Sequence, residues 1–170
     1  MSATPTTSVD ATLLIPEGIC VLCHNPINIE NVANSVRDDA AGASAIFIGT
    51  TRNSFKGKTV TRLEYQAYSK LAIKTMANIV QAAATSISRS DHHPDNQKVR
   101  SLIRCAVYHR LGTVPVGEPS IVIAVSSPHR KEALIACELI LEEVKRKAQI
   151  WKREYYDGES ESEAEWKENV

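Results

Sequence analysis

Apolar residues recur with two different spacings along this chain of 170 residues, and the spacing changes several times from one end to the other. Compact or alternating apolar runs predict strands, whereas apolar residues three and four positions apart predict helices. Strands are predicted over residues 19–23, 43–49, 60–68, 99–109 and 120–125. One helix is predicted from Asn28 or Asn31 to about Arg37, and a longer one follows a cap at Ser69. Because strands and helices do not alternate regularly, we expect one α+β domain with a mixed, largely antiparallel sheet and flanking helices.

Polar stretches divide the chain into a leader, one folded domain and a tail. Residues 1–17 are predicted to be a disordered leader, residues 18–156 the domain that carries the chemistry, and residues 157–170 an acidic, mobile tail. Short turns are predicted at 56–58 and 112–119. The polar residues 88–98, which include His92 and His93, predict an exposed loop.

The helix with the clearest signals follows a Ser-Pro step. Ser127 is predicted to be its N-cap, because a serine hydroxyl can accept a hydrogen bond from a free backbone N–H, and Pro128 suits the first helical position. The stripe that this helix is predicted to bury consists of Ala133, Cys137, Ile140 and Val144.

Cations stand at both ends of that predicted helix. His129 and Arg130 lie at its start, where free N–H groups and the positive end of the helix dipole already favour an anion. Two cations there are unfavourable unless an anion binds, so the pair predicts a site for phosphate or carboxylate. Lys145, near the other end, would ordinarily be a surface lysine that offsets the dipole. Lys152, however, follows Trp151 directly, and a lysine beside apolar walls can have a lowered pKa and act as base or nucleophile.

Charge and composition exclude several classes of partner. The chain has 20 basic and 20 acidic residues, so no overall positive field favours nucleic acid or an anionic membrane. No run reaches the roughly 20 apolar residues that cross a bilayer. The start of the chain lacks the basic and apolar regions of a secretory signal, which predicts a cytosolic protein with reduced thiols.

The four cysteines could indicate a metal or haem site, but the residues around them do not support one. Cys20, Cys23 and His24 match the C-x-x-C-H pattern of haem attachment, yet they lie on a predicted strand without an export signal. A zinc site would need a second ligand pair, whereas Cys105 and Cys137 stand alone and suit a core. We therefore expect no metal and no organic cofactor.

Six motifs occur in an order that resembles one enzyme family. They lie at residues 47–52, 63–68, 109–112, 116–118, 126–130 and 150–154. Together they resemble the large, catalytic subunit of molybdopterin synthase, over about residues 19–156. Gln149 departs from that pattern, because the family usually has proline there. The family's α/β-hammerhead-like fold agrees with the predicted class.

The resemblance implies a sulfurtransferase of molybdenum cofactor biosynthesis. Such enzymes transfer sulfur from the C-terminal thiocarboxylate of a small ubiquitin-like subunit to cyclic pyranopterin monophosphate, which forms the molybdopterin dithiolene. By motif, Lys145 and Lys152 are expected to be catalytic. We expect Lys145 to be the general acid/base and Lys152 to stabilise oxyanions, and the motif fits the exchanged roles equally well. The expected substrate-binding residues are Arg52, His129, Arg130, Arg153 and Glu154.

The length of the helix limits how one pocket can use both groups of cations. Arg130 and Lys145 are fifteen residues apart, which puts about 22 Å between their Cα atoms in a continuous helix. A pterin monophosphate is about half that long. We therefore expect a two-fold homodimer, within a heterotetramer, in which His129 and Arg130 of one chain complete the pocket of the other.

Two alternatives come from other functional classes. A non-catalytic adaptor would bind a ubiquitin-like tail in a basic groove and perform no chemistry. A nucleotide- or phosphate-binding regulatory domain is less well supported, because the chain lacks a glycine-rich phosphate loop.

Overall fold

The chain builds two sheets with helices packed on one of them, in a computed structural model that describes residues 7–87 and 101–170. The strands are β1 (Ala11–Ile15), β2 (Gly18–Cys23), β3 (Ala43–Thr50), β4 (Ser54–Phe55), β5 (Lys58–Ala67), β6 (Arg104–Arg110), β7 (Gly112–Pro115), β8 (Pro119–Ser127), β9 (Ile150–Tyr156) and β10 (Lys167–Glu168). The helices are α1 (Ile29–Ser35), α2 (Ser69–Ser86) and α3 (Arg130–Lys147), with a 3-10 turn at Glu161–Glu163.

Most strand pairs in both sheets are antiparallel. The first sheet has the order β1-β2-β6-β8-β3, and β2–β6 is its parallel pair. The second has the order β10-β9-β5-β4, with β7 also paired to β5. This arrangement confirms the predicted α+β class with a mixed, largely antiparallel sheet.

The main core lies between the first sheet and helices α2 and α3. Helix α3 packs on β8 and β3, α2 packs on β1 and β2, and the two helices touch each other. The predicted stripe of α3 is buried, with Ile140 fully enclosed and Val144 1% exposed. Strand β8 is buried along nearly its whole length, because β6 and β3 flank it. This packing fixes both ends of α3 relative to the sheet.

Two of the three predicted helix caps are wrong by one or two residues. Asn28 caps α1 as expected, and its side chain accepts a hydrogen bond from the Asn31 N–H. Tyr68, not Ser69, precedes α2, because the Ser69 hydroxyl accepts from the Val9 N–H instead. His129, not Ser127, is the N-cap of α3.

Ser127 fails as a cap because the sheet uses it. It is the last residue of β8, and its hydroxyl donates to the Ser101 carbonyl over 2.6 Å. Pro128 therefore connects the strand to the helix rather than occupying the first helical position. The cations His129 and Arg130 stand at the start of α3, as predicted.

The predicted disordered leader and mobile tail are both wrong over the described residues. Strand β1 pairs with β2, and the buried Ser8 hydroxyl accepts from the Ala67 N–H. At the other end, β10 pairs with β9, so residues 157–170 return to the domain. Residues 1–6 and the predicted loop at 88–98 lie outside the described residues.

Candidate active site

A cavity of about 180 Å³ lies where the end of α3 meets β9. Four residues expected from the sequence line it together: Arg52, Lys145, Lys152 and Glu154. Both sheets contribute to its wall, so the cavity combines residues that are far apart in the sequence, from Gly49 to Asn169. Most of the charge that faces it is positive, which suits an anionic ligand.

A tight connection brings the two lysines to one place. Helix α3 ends at Lys147, because Ala148 adopts an extended conformation. Only Ala148 and Gln149 connect it to Ile150, the first residue of β9. Lys145 in the last turn and Lys152 in the new strand therefore approach the cavity from adjacent elements. The short reversal explains why residues seven positions apart share one site.

Strand pairing aims Lys152 into the cavity. In the β5–β9 pair, Tyr65 lies opposite Lys152 and Leu63 opposite Glu154, and all four line the cavity. The Lys152 ammonium is 3.9 Å from a Glu154 carboxylate oxygen. Glu154 is buried and also accepts a hydrogen bond from the Tyr156 hydroxyl.

The environment of Lys152 favours its neutral form. Burial lowers the pKa of the Lys152 amine, and the positive charges of Lys145, Lys167 and Arg52 lower it further, while Glu154 opposes them. A lysine whose pKa lies below its ordinary value is a better proton acceptor near neutral pH. The cavity thus pairs an ammonium that loses its proton more easily than an ordinary lysine with a neighbouring cation.

Arg52 reaches the cavity from the loop after β3. The Thr51 N–H donates to the Glu118 carbonyl over 3.2 Å, and the Gly117 N–H donates to the Thr51 carbonyl over 2.9 Å. These bonds fix the backbone beside Arg52, whose side chain stays exposed at the cavity rim. Such a guanidinium is available to an incoming carboxylate or phosphate.

Arg153 does not join the other cations. Side chains alternate along a strand, so Arg153 projects from the face of β9 opposite to Lys152. There it donates two hydrogen bonds of 3.2 Å to Glu64 and lies over the Trp166 ring at 4.6 Å. The structure therefore gives this residue contacts outside the cavity.

His129 and Arg130 lie at the opposite end of α3 from Lys145. Arg130 is the first residue of the helix and is exposed, and neither residue lines the cavity. Within one chain, the continuous helix α3 thus separates the Cα atoms of Arg130 and Lys145 by about 22 Å.

His109, for which no role is predicted from the sequence, forms part of the cavity wall. It lies on β6, is 1% exposed, and its ring meets Tyr65 edge-on at a centroid distance of 4.9 Å. Its Nδ1 is 2.8 Å from the Arg110 carbonyl, so Nδ1 must carry a proton. Its Nε2 then accepts from the Asn169 amide over 3.0 Å. The signal available for it in the sequence was its place in the motif at residues 109–112.

Acid is expected to weaken the fold through His109. Burial lowers the pKa of His109 from 6.5 to about 4, and Lys145 also lowers it. The unfolded chain therefore binds the proton more readily, and stability is complete above pH 6.5 and declines as the pH falls towards 4. From pH 7 to 5 this group is expected to remove about 2 kcal/mol from the free energy of unfolding, as measured by urea titration.

One histidine variant isolates that contribution. In His109→Gln the decline between pH 7 and 5 should shrink by most of this amount. An equal pH dependence in wild type and His109→Gln would show that His109 is not buried in its neutral form.

The cysteines do not form a metal centre over residues 7–87 and 101–170. Cys20, Cys105 and Cys137 are buried, and burial raises the pKa of Cys20 and of Cys105 to about 12. No group of three or more His, Cys, Asp or Glu side chains in these two ranges is placed to hold a metal ion. Among the described helices, none is long and apolar enough to cross a membrane.

Comparisons with known proteins point to one family. The family model described as MoaE protein matches residues 22–147. A molybdopterin synthase catalytic subunit of Drosophila melanogaster is 45% identical over 148 residues, which are 87% of this chain but 36% of the relative. The chain therefore spans about a third of that relative's length. A molybdopterin synthase catalytic subunit 2 of Aedes aegypti is 41% identical, and the match covers 87% of each protein.

Solved structures agree on the fold. The crystal structure of molybdopterin synthase from Staphylococcus aureus matches with a TM-score of 0.72 and 29% identity, over 86% of this chain and 94% of that one. A complex of subunits 1 and 2 of molybdopterin-converting factor from Helicobacter pylori matches with a TM-score of 0.61 and 19% identity, over 81% and 85%. The second likeness concerns the fold alone.

Proposed function

Because the chain belongs to the MoaE protein family, we propose that it is the sulfur-transferring, catalytic subunit of a molybdopterin synthase. One observation carries the proposal: Lys145 and Lys152 meet in a single cavity, and burial lowers the pKa of Lys152. Arg52 and Glu154 complete the charged wall around them. The two proposed substrates, a thiocarboxylate and a pyranopterin monophosphate, are both anions, which suits this positive cavity.

The proposed reaction uses the lysines in two different ways. The thiocarboxylate sulfur of the small ubiquitin-like partner attacks a pterin side-chain carbon, and a carbon–sulfur bond forms while a carbon–oxygen bond of that carbon breaks. The displaced oxygen leaves as water or stays on the phosphate. Water then cleaves the bond between that sulfur and the acyl carbon, so the partner leaves with an ordinary carboxylate and the sulfur stays on the pterin. One lysine transfers the protons and the other stabilises the developing oxyanion. The depressed pKa of Lys152 favours it as the proton carrier, the reverse of the assignment expected from the sequence.

The proposed assembly contains two copies of this chain and two small partners. The separation of Arg130 and Lys145 by fifteen positions along α3 supports sharing of a site across a two-fold axis. His129 and Arg130 of one copy would then bind the pterin phosphate beside the lysines of the other. The Helicobacter pylori structure, a complex of two different subunits of molybdopterin-converting factor, supports a small-subunit partner. The free thiols support a cytosolic location.

Reconstitution tests the proposed function directly. The purified chain is mixed with cyclic pyranopterin monophosphate and a thiocarboxylated small partner, and the dithiolene product is measured after derivatisation by fluorescence and mass spectrometry. We expect two sulfur atoms per pterin, and no product when the partner carries an ordinary carboxylate. Complex formation without any product in the thiocarboxylate reaction would contradict the proposal and favour a non-catalytic adaptor.

A further inference from the structure

The segment of residues 157–170, here called the closing segment, covers the edge of the candidate active site. Its strand β10 pairs with β9, with Lys167 opposite Lys152 and Glu168 opposite Trp151. The next residue, Asn169, is 7% exposed and lines the same cavity as Lys145 and Lys152. The closing segment therefore occupies both the free edge of β9 and part of the cavity.

Ion pairs and a cation–π contact attach the closing segment to strands β5 and β9. Glu159 pairs with Lys58 and Glu161 pairs with Arg62, each over 2.6 Å. In each pair one side chain is more than half exposed, and exposed ion pairs contribute little and weaken in salt. The Arg153 guanidinium stacks on Trp166 at 4.6 Å. The segment is thus held by several contacts that are individually weak and can be released.

Asn169 makes the innermost contact of the closing segment. Its amide donates to Nε2 of His109 over 3.0 Å, and both residues are buried. The Arg110 carbonyl fixes Nδ1 of His109 as a donor, so Nε2 is a fixed acceptor at the cavity wall. Any other N–H group that enters the cavity can take the place of the Asn169 amide at Nε2.

We propose that the closing segment is an exchangeable occupant, which an extended chain terminus of the partner must displace before it can reach the lysines. The inference rests on the proposed function for the identity of the competing chain. One edge of a strand can pair with a single neighbour, so β10 and an incoming peptide exclude each other on β9. The closing segment then sets the affinity of the site for its partner without taking part in the chemistry.

A reversible lock tests this exchange in the full chain. Trp151→Cys combined with Glu168→Cys places two thiols on residues that lie opposite each other across β9 and β10. The probe is a fluorescein-labelled ten-residue peptide ending in Gly-Gly, and its binding is followed by fluorescence anisotropy. Oxidation should weaken binding at least tenfold, and dithiothreitol should restore it. The single variants Trp151→Cys and Glu168→Cys, treated in the same way, should not change on oxidation.

A variant that weakens the attachment of the closing segment is expected to have the opposite effect on peptide binding. Asn169→Ala removes the hydrogen bond to His109 and should tighten peptide binding about three- to tenfold. Glu163→Gln, at an exposed position of the same segment, should leave affinity unchanged.

Equal affinity of the oxidised and reduced double variant would overturn the exchange, and so would failure of both forms to bind the peptide. The reconstitution assay is scored separately, so product formation together with equal peptide affinity would overturn the exchange and leave the proposed function intact.

Discussion

Replacement of Lys152 by alanine is expected to lower kcat for sulfur transfer by about 10²- to 10⁴-fold, the range typical of a lost proton-transfer group. Lys152 lines the cavity opposite Tyr65, and burial lowers the pKa of its amine, so it combines position with proton affinity. The partner should still bind, because the edge of β9 remains. The measurement is a single-turnover assay of dithiolene formation, with partner affinity determined in parallel by calorimetry.

Two further lysine variants show whether the lower kcat comes from lost proton transfer or from lost positive charge. Lys147→Ala is the matched control, because Lys147 is exposed and pairs with Glu143 over 2.6 Å, outside the cavity. It should keep kcat within about twofold of the wild type. Lys152→Arg retains the positive charge but does not release a proton near neutral pH. It should recover little activity if Lys152 transfers protons, and much of it if the residue only stabilises an oxyanion.

The pH profile of kcat provides an independent check. A base with a lowered pKa is free of its proton at a lower pH than an ordinary lysine, so the rising limb should lie below the usual lysine range. Loss of that limb in Lys152→Arg would assign it to Lys152. Unchanged kcat in Lys152→Ala would remove the residue from the mechanism, whereas weakened partner binding with no chemical step in the wild type would favour an adaptor.

The sequence predicts helix α3 and its charges well, because both signals are local. A 3.6-residue apolar period and cations at each end can be read from one continuous segment. The exact cap cannot, because Ser127 is drawn into β8 by pairing with Ala43, more than eighty residues earlier. A favourable N-cap stabilises a helix by only about 1 kcal/mol, so the hydrogen bonds of the strand pairing outweigh it.

Strand β9 is the element whose absence from the prediction matters most for the site. Residues 150–156 contain three charged residues among large ones, and this composition does not identify a strand. Once β9 is recognised, the two-residue period of a strand separates Lys152 and Glu154 from Arg153. The family motif names all three residues together and carries no information about which face each one occupies.

The closing segment was misjudged for a similar reason. Its acidic, serine-rich composition is typical of disorder. The partners that order it, Lys58 and Arg62, lie about a hundred residues earlier, so no local sequence pattern indicates that these contacts form. His109 was missed because its role depends on Asn169 in that same segment.

Mixing two inactive variants is expected to restore activity if the active site is shared between two copies of the chain. Lys145→Ala removes one of the two cavity lysines, and Arg130→Ala removes the cation at the start of α3. Each variant alone should lose at least about 10²-fold in kcat/KM, since each spoils both sites of a two-fold dimer. In a mixed dimer, one site receives both substitutions and the other receives none.

Random exchange of subunits makes half of the dimers mixed, so about a quarter of all sites should be wild type and activity should recover to about a quarter. The subunits are exchanged in mild urea and diluted, and dithiolene formation is measured against each unmixed variant treated identically. A mixture of Lys145→Ala with Lys152→Ala is the control, because both residues line the cavity of the same chain. Its mixed dimers contain one inactivating substitution in every site, so they should remain inactive. Absence of recovery in both mixtures would place Arg130 outside the pocket that holds the partner copy's lysines, and α3 would then serve two separate sites.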